Sequence, residues 1–377
     1  MSTLTIISHT EHYKTQDGTL VGLGSTVTEI NQLLAVFDRI VHVAMLHDAA
    51  APPSAMPYRS NRIRFVALPA LGGSKIRDKL AIIWKAPSVL KIIHDTIQKT
   101  DYFQFRAPTG IGVFVIPYLV LFSSKKGWFK YAGNWKQEHA PVAYRFQRWL
   151  LKKQNRKVTI NGAWPNQPSH CLSFENPCLT SEEQMKGQEV IQHKSIGPQG
   201  LELCFVGRLE KEKGLDVLID ALLTLDPSEM SKFKIVHIVG DGNNLEHYIK
   251  KTQFSDLNFV YHGFLSRIQV HTIYKQSHVI VLPSASEGFP KVVSEAMNYG
   301  CLPIVSNISS IDNYIKDGIN GFLFYPITSD NLIIQIRKLL CLSNENYSRM
   351  INSQEDQLLK FTYSFYNKRV NEDLLID

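Results

Sequence analysis

An α/β chain built from two doubly wound parallel-sheet domains is what this sequence predicts, and three observations predict it. Short apolar runs bounded by Gly, Pro and Asn alternate with helical periodicities along most of the chain, the rhythm that builds parallel sheets. At 377 residues the chain is too long for one average domain and comfortable for two. The third observation is His278–Gly300, which reads as strand, small-residue loop and helix. In open α/β sheets ligands bind at such a junction, outside the carboxyl ends of the strands.

Composition sets the class. Apolar content of 44% and charged content of 20% are those of an ordinary soluble globular protein. The net charge of +7 hides an asymmetry: residues 1–195 hold 24 Lys and Arg against 13 Asp and Glu, whereas residues 196–377 hold 17 against 21. The two halves therefore face different partners, or the first faces an anionic one. Five scattered cysteines with no C-x-x-C pair read as small buried residues in a reducing compartment. No basic-then-apolar leader is visible at the N-terminus, and the longest apolar run, Gly110–Phe122, is short of the ~20 residues a spanning helix needs. A cytoplasmic protein is expected.

Taken in order, Leu4–Ile7 reads as the first strand, Gly22 and Gly24 lead into a helix carrying Ile30, Leu33, Leu34 and Phe37, and Ile40–Leu46 is the next strand. Gly22-x-Gly24 is not a dinucleotide fingerprint, since Val27 stands where Gly or Ala belongs. Lys75–Trp84 places Ile76, Leu80, Ile83 and Trp84 on one helical face with Lys75, Lys79 and Lys85 off it. Val142–Lys157 sets Val142, Phe146, Trp149 and Leu150 on one stripe and Arg145, Arg148, Lys152 and Arg156 on another. Two basic amphipathic helices in a basic half suggest peripheral contact with an anionic membrane; the alternative is that each packs its apolar stripe on the core. Trp128–Asn134 reads as a strand. Residues 161–178 are rich in Asn, Pro and Gly, and 182–200 are polar, so the linker is placed there. The expected domains are 1–195 and 196–361, with a last helix, about Ser364–Leu375 within 362–377, crossing back to the first. Strands in the second are expected at Leu201–Val206, Ile235–Val239, Asn258–Tyr261, Val279–Leu282, Leu302–Val305 and Gly321–Phe324.

The chemistry-bearing residues follow these strands. Gly207-Arg208-Leu209 with Lys213-Gly214 comes after the first. Val239-Gly240-Asp241-Gly242, His262-Gly263-Phe264, Glu287-Gly288-Phe289-Pro290 and Glu295, then Asp317-Gly318 and Asn320-Gly321, come later. Over about residues 200–325 this order resembles the retaining glycosyltransferases of family 4, whose two-domain fold is called GT-B: two Rossmann-like domains facing across a cleft. The resemblance implies transfer of a hexose-type sugar from a nucleoside-diphosphate sugar to a glycan or lipid-linked glycan, with no metal or other cofactor and no nucleic-acid partner. It implies roles as well. Arg208 and Lys213, with Gly207, would hold the diphosphate as planar fork and point charge. Glu287 would bind donor-sugar hydroxyls beside the N–H groups of Gly288, Phe289 and Lys291. Glu295 would accept from the ribose, and Gly240, Gly263 and Phe264 would border the nucleotide.

Acceptor-side candidates are Gly22, Gly24, Asn134 and His139, Asn134 standing near where many relatives carry a histidine. For the glycine pair a turn, and for Asn134 a cap, are the alternatives. Two other readings stay open, a sugar-nucleotide epimerase of similar architecture and a non-catalytic partner subunit; a dinucleotide oxidoreductase fits worst.

Overall fold

The structure, a computed structural model, describes residues 2–72 and 76–376. The chain forms two compact units: residues 1–176 with 363–377, and residues 177–362.

The first unit runs β1 (Thr3–Lys14), β2 (Leu20–Leu23), α1 (Gly24–Gln32), β3 (Arg39–Leu46), β4 (Ala55–Pro57), β5 (Ile63–Pro69), α2 (Ile76–Ile97), β6 (Tyr102–Ala107), α3 (Gly112–Leu121), β7 (Lys126–Tyr131), α4 (Val142–Lys153), β8 (Val158–Ile160) and β9 (Cys171–Ser173). The parallel strands pair in the order β5-β3-β1-β6-β7-β8-β9, and β2 and β4 extend the sheet antiparallel from the far end of β1. Where the sequence predicts a polar loop after Ile7, β1 instead continues through a bulge at residues 8–10 and turns back as a hairpin into β2. Ser8, His12 and His42 are buried there: the Ser8 hydroxyl meets His42 Nε2 at 2.8 Å, and both imidazoles meet the Tyr58 hydroxyl. Burial depresses both histidines, His42 most, so the polar strand end is held by neutral rings.

The expected stripe on α4 does not pack inward. Val142 and Trp149 are 71% and 56% exposed, Phe146 is half-exposed, and the buried residues of the helix are Gln147 and Leu151, with Leu150 partly buried. Gln147 faces the core because the backbone of Thr109 needs it: its Oε1 accepts from the Thr109 N–H and its Nε2 donates to the Thr109 carbonyl. On α2 Ile83 and Trp84 are likewise exposed; Lys75 and the side chains of Ile76, Lys79 and Leu80 lie outside the described residues.

The second unit runs α5 (Ser181–His193), β10 (Leu201–Val206), α6 (Leu215–Leu223), α7 (Pro227–Met230), β11 (Phe233–Val239), α8 (Leu245–Thr252), β12 (Phe259–Gly263), α9 (Arg267–Gln276), β13 (Val279–Leu282), α10 (Lys291–Met297), β14 (Leu302–Ser306), α11 (Ile311–Tyr314), β15 (Phe322–Phe324) and α12 (Ser329–Leu340). Its six strands are all parallel, in the order β12-β11-β10-β13-β14-β15. Every residue of β10, β13 and β14 is buried, because helices cover both faces of the sheet. Leu203 and Phe205 of β10 enter one apolar core while Cys204 and Val206 enter another.

The division between units falls at 176/177, earlier than the expected 195/196. The reason is α5, which stands where the sequence predicts a polar linker: Thr180 and Glu183 form a reciprocal capping box at its start. Its Gly187 packs against Asn298, whose side chain donates to the Glu183 carbonyl. The final helix, Tyr363–Arg369 continued as a π-helical turn to Leu375, belongs to the first unit as expected, where Tyr366, Val370 and Leu374 join Leu4, Ile30 and Trp128 in one core.

Candidate functional site

In both sheets the strand order reverses between two neighbouring strands, β1 and β6 in the first unit and β10 and β13 in the second. Such a reversal leaves a crevice at the carboxyl ends of the two strands, since the connections leave on opposite sides. The loops that carry the strongest candidates are those after β10 and β13.

Two contacts of backbone on backbone bring these loops together. Gly214 has φ +75°, and a Cβ there would stand 2.1 Å from the Pro283 carbonyl oxygen, so only glycine lets the turn after β10 lie against the end of β13. The Ala285 N–H then donates to the Glu212 carbonyl at 2.8 Å. Lys213, between these anchors, places its ammonium on Glu287 Oε1, which also accepts from the Ser284 hydroxyl at 2.9 Å. Lys213 and Glu287, expected from the sequence to meet phosphate and sugar separately, thus form one ion pair. Ser306 and Ser310 fix the loop from the next strand, donating to the carbonyls of Ser284 and Gly288.

Among the described residues no acceptor within the chain meets the N–H groups of Glu287, Gly288 or Phe289, so this run of donors is directed elsewhere. The Phe289 ring is buried, stacked on Phe361 and edge-on to Tyr314. Its side chain anchors the loop, leaving only its backbone for a ligand. Arg208 is exposed and in no ion pair among the described residues. Gly240 has φ +135° and its α-carbon closes on the Gly207 carbonyl. Its N–H donates to the Gly263 carbonyl, so residues 207, 240 and 263 meet at adjacent strand ends. Phe264 beside them is 45% exposed.

Glu295 is buried on α10, and its Oε1 accepts from Arg267 Nη1 at 2.7 Å. Arg267 also donates from Nε and Nη2 to the two oxygens of Glu183 and reaches the Cys178 carbonyl. One guanidinium thus holds two carboxylates. Burial works against the charge, yet the carboxylates keep Arg267 protonated far above its ordinary range, and Arg267 draws Glu183 below its own. Neither Arg267 nor Glu183 was among the residues the sequence singled out. Glu183 was legible as the fourth residue of T-x-x-E, Arg267 was not.

The acceptor-side candidates are not assembled. Gly22 lies on β2 against the His12 ring, and Gly24 starts α1 against the Ser54 carbonyl. Asn134 and His139 lie in the connection after β7; Asn134 Oδ1 accepts from the Lys136 N–H, a turn cap. At the strand-order reversal of this unit stand instead His9, whose Nε2 meets the Leu71 carbonyl at 2.5 Å, and Gly110 beside the His9 ring.

Residues 188–357 match the model of the family "Glycosyl transferases group 1". Over those residues, a little under half of its length, the chain is similar to that family. Two curated relatives illustrate the likeness. An uncharacterized 41.2 kDa protein in the cps region of Klebsiella pneumoniae is 27% identical over 38% of this chain and 38% of its own. The GalNAc-alpha-(1->4)-GalNAc-alpha-(1->3)-diNAcBac-PP-undecaprenol alpha-1,4-N-acetyl-D-galactosaminyltransferase of Campylobacter jejuni is 29% identical over 50% of each chain. The match spans between about a third and a half of such relatives' length. Among solved structures, Anabaena Alr3699/HepE in complex with UDP and glucose superposes with a TM-score of 0.68 over 100% of this chain and 99% of that one, at 16% identity. The fold of the chain is GT-B. Among the described residues no group of three or more His, Cys, Asp or Glu is set to hold a metal ion, and no helix is long and apolar enough to cross a membrane.

Proposed function

We propose that this chain is a retaining glycosyltransferase of the family 4 type, moving a hexose-type sugar from a nucleoside-diphosphate sugar to a glycan or lipid-linked glycan in surface polysaccharide synthesis. The observation that carries the reading is what stands after β10 and β13: the Lys213 and Glu287 pair, with Arg208 on the first of these loops and the N–H groups of residues 287–289 on the second, lies at the strand ends where an open sheet binds ligands. Arg208 and Lys213 stabilise the diphosphate as its bond to the anomeric carbon breaks, in place of a metal. The departing phosphate oxygen takes the acceptor's proton, and the acceptor oxygen bonds the anomeric carbon on the same face. Glu287 positions donor hydroxyls and forms no covalent bond. Glu295, with Oε1 on Arg267, offers Oε2 to the ribose. The name of the Campylobacter relative, which prints a PP-undecaprenol-linked glycan, supports a lipid-linked glycan as the acceptor class.

Exposed Ile83, Trp84, Val142 and Phe146 on α2 and α4 support peripheral contact with an anionic leaflet at the cytoplasmic face of the membrane. Sedimentation with anionic liposomes at low salt tests this; a protein left wholly in the supernatant is the adverse result.

The transfer reading is tested by thermal stabilisation with UDP, GDP, ADP and CDP, UDP first because of the Anabaena complex. One diphosphate should raise the melting temperature of the wild type and lose its effect on Lys213→Ala. No stabilisation by any of them at millimolar levels would sink the transfer reading.

A further inference from the structure

The outer side of α4 carries a feature that neither sugar transfer nor the nucleotide cluster uses. Two adjoining hollows, of about 260 and 300 Å³, share Trp135, Lys136 and Lys152. The first continues to Lys153 and Trp164, the second to Arg145 and Trp149. No acidic residue lines either hollow. Among the described residues none of Lys136, Arg145, Lys152 and Lys153 makes an ion pair.

The ammonium groups of Lys136 and Lys152 lie over aromatic faces instead. Lys136 Nζ is 5.7 Å from the centre of the Trp164 ring and Lys152 Nζ 5.3 Å from that of Trp135. Lys152 is pressed toward the neutral form by partial burial and by the neighbouring charges of Lys136 and Arg148. A cluster of like charges with no internal counter-ion is relieved by an anion from outside. The indoles are fixed: Trp164 Nε1 donates to the Asn161 carbonyl and Trp149 stacks beside Phe146. Arg148 pins the floor by donating to the carbonyls of Asn134, Trp135 and Gln137.

Rigid aromatic faces suit the C–H faces of pyranose rings, and flexible ammonium groups suit carboxylates or phosphates carried on them. A bilayer surface would press on a convex apolar edge; two hollows walled by Trp164 and Trp149 fit a chain laid lengthwise.

We propose that this groove binds an anionic glycan, its carboxylate or phosphate groups on Lys136 and Lys152 and its sugar rings against Trp149 and Trp164. The inference goes beyond the transfer reading and stands without it.

The test is calorimetric titration of the full chain with a size-defined oligogalacturonate and with a neutral maltooligosaccharide of equal length. The variants are Lys136→Gln with Lys152→Gln, and Trp164→Ala; melting temperature with and without UDP reports whether each is folded. The acidic chain should bind and the neutral one should not, and the paired lysine variant should bind at least tenfold more weakly with its UDP response unchanged. Added salt should weaken binding further, by screening. Equal binding of both sugars, equal binding by the variant, or no binding would overturn the proposal. So would loss of anionic-vesicle binding in the lysine variant without any oligogalacturonate affinity, which would make the groove a membrane patch. Failure of UDP to stabilise any form would count against the transfer reading alone.

Discussion

The Lys213 ammonium sits on the Glu287 carboxylate, tying the loop after β10 to the loop after β13. Each charge is therefore set by the other before any ligand is considered. Lys213→Ala should weaken nucleoside-diphosphate binding roughly ten- to a hundredfold, the effect of one charge-assisted bond of about 1.5–3 kcal/mol. Because the partners touch, Lys213→Ala and Glu287→Gln should combine to cost less in kcat/KM than the sum of the two single effects. Strict additivity in a double-mutant cycle would show that the pair does not act as a unit.

Arg267 is the cation of two carboxylates, the buried Glu295 and the partly buried Glu183. Removing it by Arg267→Ala should destabilise the second unit by roughly 3 kcal/mol, the low end for a broken buried pair because the Arg267 side chain is a third exposed. Urea denaturation followed by circular dichroism measures this. Arg267→Lys should recover only part of the loss, since a point charge cannot fork between two carboxylates.

Gly214→Ala should uncouple the two loops. Its Cβ would collide with the Pro283 carbonyl, and its φ of +75° adds backbone strain of about 1 kcal/mol. Gly318→Ala has a similar φ, +72°, but open space around the new Cβ. The first variant should lose both stability and UDP-induced stabilisation, the second only about 1 kcal/mol of stability. Equal behaviour would mean that close approach at Pro283 does not matter.

Acid should loosen the second unit at His278. Its Nδ1 accepts the Glu202 N–H and its Nε2–H donates to the Ser195 carbonyl, so the neutral ring fills both bonds. Burial, with Lys194 nearby, pushes its pKa down to about 4 from 6.5. Between those values the unfolded chain binds the proton and the folded chain does not, so this contribution is full above pH 6.5 and is lost as pH falls toward 4. It amounts to at most about 3 kcal/mol. Glu183, held low by Arg267 against its burial, adds a further loss as pH falls through its folded pKa. His278→Asn should flatten the melting temperature between pH 6.5 and pH 4 relative to wild type.

How much of this was legible depended on the range of the forces involved. Leu201–Val206 and Val279–Leu282 are read from sequence with the bounds they have in the fold, because strands buried on both faces must be unbroken apolar runs. The hairpin from β1 into β2 was not legible, since its His12, Tyr13 and Lys14 are polar or amphipathic and the strand exists only by pairing. Periodicity marked the stripe on α4 but could not say which way it faces; a hydrogen-bonding need at Thr109 turned Gln147 inward. At the site, Arg208, Lys213, Glu287 and Glu295 were named from motif, whereas Arg267, Ser306 and Ser310, which position them, act from other strands and helices and carry no local signature.

The last helix has a further consequence. The chain enters the second unit at residue 177 and leaves it at 362, and the two crossings are hydrogen-bonded side by side through Leu179 and Phe361. The second unit is thus an insertion within the first, whose core at Leu4, Ile30 and Trp128 lacks Tyr366, Val370 and Leu374 until residues 363–375 have been made. On the ribosome the order of completion is inverted. The later unit can close while the earlier one still waits for its final side chains, exposing an apolar seam to chaperones for as long as translation lasts.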